Sequence, residues 1–389
     1  MSDKDERDTG GPRFSVLIAG GGVAGLEAAF ALRELAGDRV AVTVLSADED
    51  FVYRPLSVGE PFNRSHAAHY ELAGLVSEAG AELVPGTLTV VDPEARVART
   101  AEGAELQYDA LLVATGARIE RFSEHATNVD AAHMDELLHG LVQDIEEGYA
   151  HQLAIVIPAP MPWPFPGYEL ALMASERAWD MGSELAVILL TPERMAMEVF
   201  GDQVSREVAA LLAERHIELV TSAYCEIPQS QQVVVHPGGR VVHATRVIAL
   251  PRLLGPGLTG LPFDGGGFVP VDEYGRVRGV DRVWAAGDAT DVPIKHGGVA
   301  AQLADVAAQS IAERAGAPVQ PQAFSPHVEG VLMTGGTPRY LRADPAWPGP
   351  AGESIFTHVS QAMAPPKIAA SYLAPHLKNR PPSATRASR

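Results

Sequence analysis

The chain of 389 residues reads as an α/β protein built from two Rossmann-like dinucleotide-binding domains followed by a C-terminal segment. Three observations carry that reading. The apolar run Phe14–Ala19 meets Gly20-Gly21-Gly22-Val23-Ala24-Gly25 and then a helical rhythm. A second strand–loop–helix–strand pattern recurs over residues 153–190, and two further apolar strands end in Thr115-Gly116 and Gly287-Asp288. At about 100–200 residues per domain, the length accommodates two or three compact units.

In chain order, residues 1–13 are a charged, Gly-rich lead without an apolar core, read as flexible and not as a secretory signal. Phe14–Ala19 is a continuous apolar strand of the kind buried on both faces. Residues 26–35 have helical rhythm, and Gly37-Asp38 stops the helix before a second strand at 40–45. The spacing of Gly20, Gly22 and Gly25 has a mechanical reason: the first glycine makes the turn, the second lets backbone approach a pyrophosphate, and the third permits close helix–strand packing. Val23 and Ala24 open the helix, whose N-terminus faces the phosphate charge. An acidic side chain near the end of the second strand ordinarily takes the ribose hydroxyls; here that position is Ser46, with Asp48, Glu49 and Asp50 just beyond.

The glycine loop, the later Ala114-Thr115-Gly116 and the late Ala285-Ala286-Gly287-Asp288-Ala289-Thr290 together resemble the two-dinucleotide-domain flavoproteins, a superfamily that includes the pyridine-nucleotide disulfide reductases. The resemblance implies FAD in the first site, with Asp288 on the ribityl chain and Thr115 and Gly116 where the chain passes close to the cofactor. It also implies that the following helix, with Gly298 and Val299 near its start, points at the flavin edge where negative charge accumulates on reduction.

The middle of the chain bears on the substrate. A helix is expected over 134–149 and strands over 153–157 and 185–190. The intervening loop carries Pro158, Pro160, Pro162, Pro164 and Pro166, with Gly167 at its close, before Tyr168-Glu169-Leu170-Ala171 opens a helix to about residue 181. Proline has no N–H and holds φ near −65°, so the loop lacks the donors that cradle a nicotinamide pyrophosphate. That loop, with Tyr53-Arg54-Pro55-Leu56 and Pro338-Arg339-Tyr340-Leu341, resembles the sulfide:quinone reductase and type II NADH dehydrogenase branch, specifically its sulfide:quinone reductase-like members. This implies an FAD-dependent oxidoreductase that passes two electrons to a quinone or similar planar acceptor. Glu169 would then shuttle a proton beside the flavin's reactive edge, Lys295 would stabilise negative charge on the reduced ring, and Arg54 would line the isoalloxazine. His296 is a weaker candidate for proton relay, and Trp163 and Phe165 could line an acceptor slot or simply pack.

Formal net charge is −19, which disfavours nucleic acid as a partner. A single cysteine, Cys225, excludes an internal disulfide, a CxxC pair and cysteine-built metal or iron–sulfur sites. Sulfide oxidation in the resembling branch runs through cysteines that carry sulfur, so the usual cysteine route is not expected. The histidines show no metal spacing, and no metal is assigned. The expected division is 14–120 with 255–322 as the FAD domain, 121–254 as the NAD(P)-like domain, 323–377 as a C-terminal capping segment and 378–389 as a solvated tail.

No window approaches the ~20 apolar residues of a spanning helix. A cytoplasmic setting fits; peripheral membrane contact and a homodimer are left open. In residues 367–377, Ile368, Tyr372, Leu373 and Leu377 could form one apolar stripe, but with Pro375 inside, burial against the first domain is favoured over a membrane foot. Residues 362–366 lack aromatic belt residues, which points the same way. The rival readings are an NAD(P)H-dependent flavoprotein reductase serving a ferredoxin-like or biosynthetic partner, and a flavin-binding redox sensor without turnover.

Overall fold

The computed structural model describes residues 13–345, 354–358, 367–378 and 380–383. The lead 1–12, the stretch 362–366 and the tail residues 384–389 lie outside the described residues.

The first sheet is wholly parallel, in the order Val283–Ala285, Ala110–Val113, Phe14–Ala19, Val40–Ser46, Glu82–Pro85. Its strands are apolar because both faces are covered: Leu111, Leu112 and Val113 are all 0% exposed. Strand order reverses beside Phe14–Ala19, so the loops leaving it and Ala110–Val113 diverge and open a crevice at their carboxyl ends. The helices Val23–Ala36 and Gly297–Arg314 pack on each other, and both bury alanines, including Ala28, Ala31, Ala304 and Ala308.

The second sheet is also parallel, in the order Thr127–Asn128, Arg246–Ala249, Gln152–Val156, Ala186–Leu190, Ile217–Val220. Its reversal lies beside Gln152–Val156, which sets the proline-rich loop at the corresponding crevice. The two connections between the sheets are themselves paired, Arg118–Glu120 running antiparallel to Arg252–Leu254.

Several features depart from the sequence expectation. The second helix of the proline-loop unit begins at Phe165, not Tyr168, because Pro166 occupies a first-turn position where its fixed φ and missing N–H do no harm. Glu169 therefore stands beyond the first turn, where the helix dipole gives a carboxylate little support. The stretch 367–377 is not one amphipathic helix: only Leu373–Lys378 is helical, and Ile368 and Leu373 are buried at 4% and 1%. Three-stranded antiparallel sheets at Tyr224–Gln229 with Gln232–His236 and Arg240–His243, and at Val328–Leu332 with Arg339–Ala343 and Ser354–His358, were not anticipated.

Candidate functional site

The crevice of the first sheet deepens into a cavity of about 660 Å³ lined by Gly20, Gly22, Val23, Ala24, Ser46, Arg54, Thr115, Gly116, Gly287 and Asp288, and by Glu169 and Lys295. Gly20 has φ +123°, and a Cβ there would lie 2.1 Å from the Ala114 carbonyl oxygen. Gly25 stands outside the cavity and packs: its Cβ would meet the Gly20 carbonyl oxygen at 1.9 Å. Gly22 is the N-cap of the first helix, makes no side-chain cap, and would have nothing within 4 Å of a Cβ. Free first-turn amides therefore face open space, the arrangement that receives a pyrophosphate. Ser46 stands at the strand end on the cavity wall, its Oγ accepting from the Asp48 amide at 3.2 Å.

At the other end, Asp288 borders the cavity and its carboxylate makes no hydrogen bond or ion pair among the described residues; burial raises its pKa, opposed by the charge of Lys295. An unpartnered half-buried carboxylate beside an open cavity suits a polyhydroxyl chain. Lys295 is not a surface lysine. It is 7% exposed, its Nζ donates to the Thr290 carbonyl and lies 4.0 Å from the Phe268 ring centroid, and burial pulls its pKa down to about 8.

His296 is the N-cap of the Gly297–Arg314 helix, and its Nδ1 accepts from the Gly298 amide at 3.2 Å. Burial lowers its pKa to about 4, so it is a neutral cap with Nδ1 engaged and a poor proton relay. That cap turns Gly298 away from the cavity, which Gly297 and Ala300 line in place of Gly298 and Val299. Trp163 and Phe165, stacked at 5.0 Å, line this cavity and Trp163 packs on His296 at 4.4 Å.

A second cavity, of about 1100 Å³, shares Val23, Phe51, Val331, Lys367 and Ile368 with the first. Beside that shared wall, Glu169 is 2% exposed; its Oε1 accepts from the Met333 amide at 2.9 Å and from Lys367 Nζ at 2.6 Å. Burial raises the Glu169 pKa and the Lys367 charge opposes the rise. Lys367 was missed in the sequence, because nothing local distinguishes it from a tail lysine. Tyr53 was quoted only within its motif; its hydroxyl accepts from the Ile368 amide at 2.9 Å and so holds the same segment.

At the crevice of the second sheet, the fully buried Tyr168 donates to Glu193 Oε2 at 2.7 Å, and Thr191 Oγ1 donates to the same oxygen at 2.8 Å. Glu193 Oε1 accepts from the Glu198 amide at 3.0 Å. The acidic group that could receive a ribose is thus consumed internally. Cys225 belongs to the strand Tyr224–Gln229 and lines neither large cavity, and burial pushes its thiol up to about 12. No cluster of three or more metal-ligating side chains occurs among the described residues. No helix among them is long and apolar enough to cross a membrane.

The model of the family described as pyridine nucleotide-disulphide oxidoreductase matches residues 14–310. The chain belongs to that family. It is accordingly an FAD-dependent oxidoreductase, and the glycine-loop cavity with its unpaired Asp288 fits FAD. Within the family, the sulfide-quinone reductase of Aquifex aeolicus (strain VF5) is 27% identical over 261 residues, 62% of this chain and 59% of that protein. The rhodocoxin reductase of Rhodococcus erythropolis is 26% identical over 303 residues, 72% of this chain and 66% of that one. The matches thus span less than two thirds of the length of either curated relative. Among solved structures, the sulfide:quinone oxidoreductase from the hyperthermophilic bacterium Aquifex aeolicus superposes with a TM-score of 0.81 at 22% identity, covering 90% of this chain and 88% of the other.

Proposed function

We propose that this flavoprotein passes two electrons from a small-molecule donor to a quinone-like acceptor that enters the 1100 Å³ cavity. One observation carries the reading: a largely apolar cavity of cofactor-site size adjoins the FAD cavity across a shared wall, with a buried acid and ammonium at the junction. FAD, when bound, supplies the two-electron chemistry. The chain's residues do the rest. The amides following Gly20 would hold the pyrophosphate, Asp288 would accept from the ribityl hydroxyls, and Thr115 and Gly116 would border the cofactor. Arg54 lines the cavity that would take the ring, and Lys295 places positive charge on the same cavity wall. Glu169, ion-paired with Lys367 at rest and pushed by burial toward its neutral form, takes up a proton and delivers it to an acceptor oxygen, and Lys367 steadies the charge left behind.

The Tyr168–Glu193 network and the proline loop argue against a nicotinamide donor, and the position of Cys225 argues against sulfide oxidation by the usual cysteine route. Anaerobic stopped-flow mixing tests this. NADH, NADPH and sulfide should each leave the visible flavin absorbance unchanged within the mixing time. Chemically reduced protein should be reoxidised by a short-chain quinone with saturation kinetics. Rapid bleaching by NADPH would overturn the reading in favour of a reductase of the kind to which rhodocoxin reductase belongs. Replacing Lys295 by methionine removes a buried positive charge from the FAD cavity. The flavin midpoint potential, read by dye-equilibrated photoreduction, should become more negative by about 30 mV or more, the two-electron equivalent of ~1.4 kcal/mol.

A further inference from the structure

Glu27, one turn into the glycine-loop helix, is 0% exposed and lines neither large cavity. Its Oε1 accepts from the Tyr372 amide at 2.9 Å and its Oε2 from the Leu373 amide at 2.6 Å. Asp305, on the helix Gly297–Arg314 that packs against the Glu27 helix, lies against Glu27 and Ser371, and its Oδ1 is buried without a hydrogen-bond partner among the described residues. Two carboxyl groups can hydrogen-bond only if a proton lies between them. The segment they grip is functional in position: Leu373, Pro375 and Leu377 wall the 1100 Å³ cavity, and Lys367, a few residues earlier, meets Glu169.

We propose that Glu27 and Asp305 are positioning residues for the acceptor site: a carboxyl pair sharing one proton docks residues 371–373, and with them the wall of the cavity, so that docking takes up a proton. This rests on the acceptor reading above for its functional meaning. Burial first, then the Glu27 charge, raises the Asp305 pKa to about 8, and burial raises that of Glu27. The other groups facing the pair are Tyr372, raised by burial and by the charges of Asp305, Glu34 and Glu27, and Glu34 on the Glu27 helix. From the helix Leu72–Glu78, Glu78 pairs with His376 at 2.6 Å and with Arg380, further along the same segment. No cation is ion-paired to Glu27 or Asp305 among the described residues.

The sign follows from the shift. Docked, Asp305 is neutral up to about 8; release of the segment removes part of its burial and lowers its pKa, while the Glu27 charge on the neighbouring helix stays. Between the released and docked values the docked form holds one proton more, so raising pH favours release by about tenfold per unit, and the dependence flattens above the upper limit.

Hydrogen exchange at the Tyr372 and Leu373 amides of the FAD-loaded protein, with the intrinsic chemical rates divided out, reads the opening constant without any acceptor. It should rise about tenfold per unit from about pH 6 to about pH 8 and then level. Asp305→Asn should abolish the slope, and Glu27→Gln, which keeps one acceptor oxygen for the amides and removes the charge but not the burial, should move its upper limit to lower pH, both with an unaltered flavin spectrum. In turnover, KM for the acceptor should follow the same profile in the native protein and lose it in Asp305→Asn, while kcat changes less. A pH-independent opening constant in the native protein, or a slope that survives Asp305→Asn, overturns the proposal. If exchange behaves as expected but no quinone reoxidises the flavin, the docking pair stands and the acceptor reading falls.

Discussion

Gly20→Ala is expected to give a chain that purifies without FAD. Two independent physical costs act at this position. The backbone there has φ +123°, which an L residue rarely adopts, and the new Cβ would stand 2.1 Å from a main-chain oxygen of the neighbouring strand's loop. The clash is with backbone, so neither a rotamer change nor a flexible side chain can relieve it. Relief requires the crevice between Phe14–Ala19 and Ala110–Val113 to widen, which moves the amides that face the pyrophosphate. A loss of about 3 kcal/mol or more in folding stability and the disappearance of protein-bound flavin absorbance should appear together. Retention of stoichiometric FAD with unchanged thermal stability would show that this turn does not form the cofactor cradle.

The second large effect concerns Glu169 and Lys367. Their side chains are 3% and 10% exposed, so solvent screens the pair little. Glu169→Gln leaves a buried ammonium without its counter-charge and should cost about 3–5 kcal/mol in chemical denaturation. Lys367→Met should cost less, because the abandoned carboxyl can protonate in a site that already raises its pKa by burial. The double variant Glu169→Leu with Lys367→Met should recover much of the stability, since apolar replacement of a buried ion pair is often near neutral. Reoxidation of reduced flavin by a quinone should fall by about 10²–10⁴-fold in every variant lacking the Glu169 carboxyl, stable or not. That split between recovered folding and unrecovered chemistry separates a proton-handling role from a merely structural one. A double variant that turns over normally would remove Glu169 from the reaction.

The parts of this molecule that depend on local pattern were legible in the sequence. Phe14–Ala19 occupies the residues expected, and the glycine spacing marked a turn whose steric demands the backbone displays at Gly20 and Gly25. Apolar runs identify strands covered on both faces, and the loss of donors in a proline loop follows from covalent structure alone. The small antiparallel sheets were missed because their strands are short; Tyr224–Gln229 is also largely exposed, with only Ile227 buried. Gly298 and Val299 were placed on the cofactor by their position after Asp288, but His296 turns back to cap that helix and leaves Gly297 and Ala300 on the wall.

The sequence by itself determined the fold class, the FAD cradle's turn, the absence of a second thiol and the prolines that deprive the second loop of N–H donors. Each of these is a property of residues adjacent in the chain. Only the tertiary structure decided which groups Glu169, Glu27 and Lys295 meet. Glu169 meets Lys367 across 198 positions, and Glu27 meets the Leu373 amide across 346. The physical reason is that a carboxyl's charge state depends on burial and partners, and partners so remote in sequence are brought together only by packing the terminal segment onto the first domain's helices.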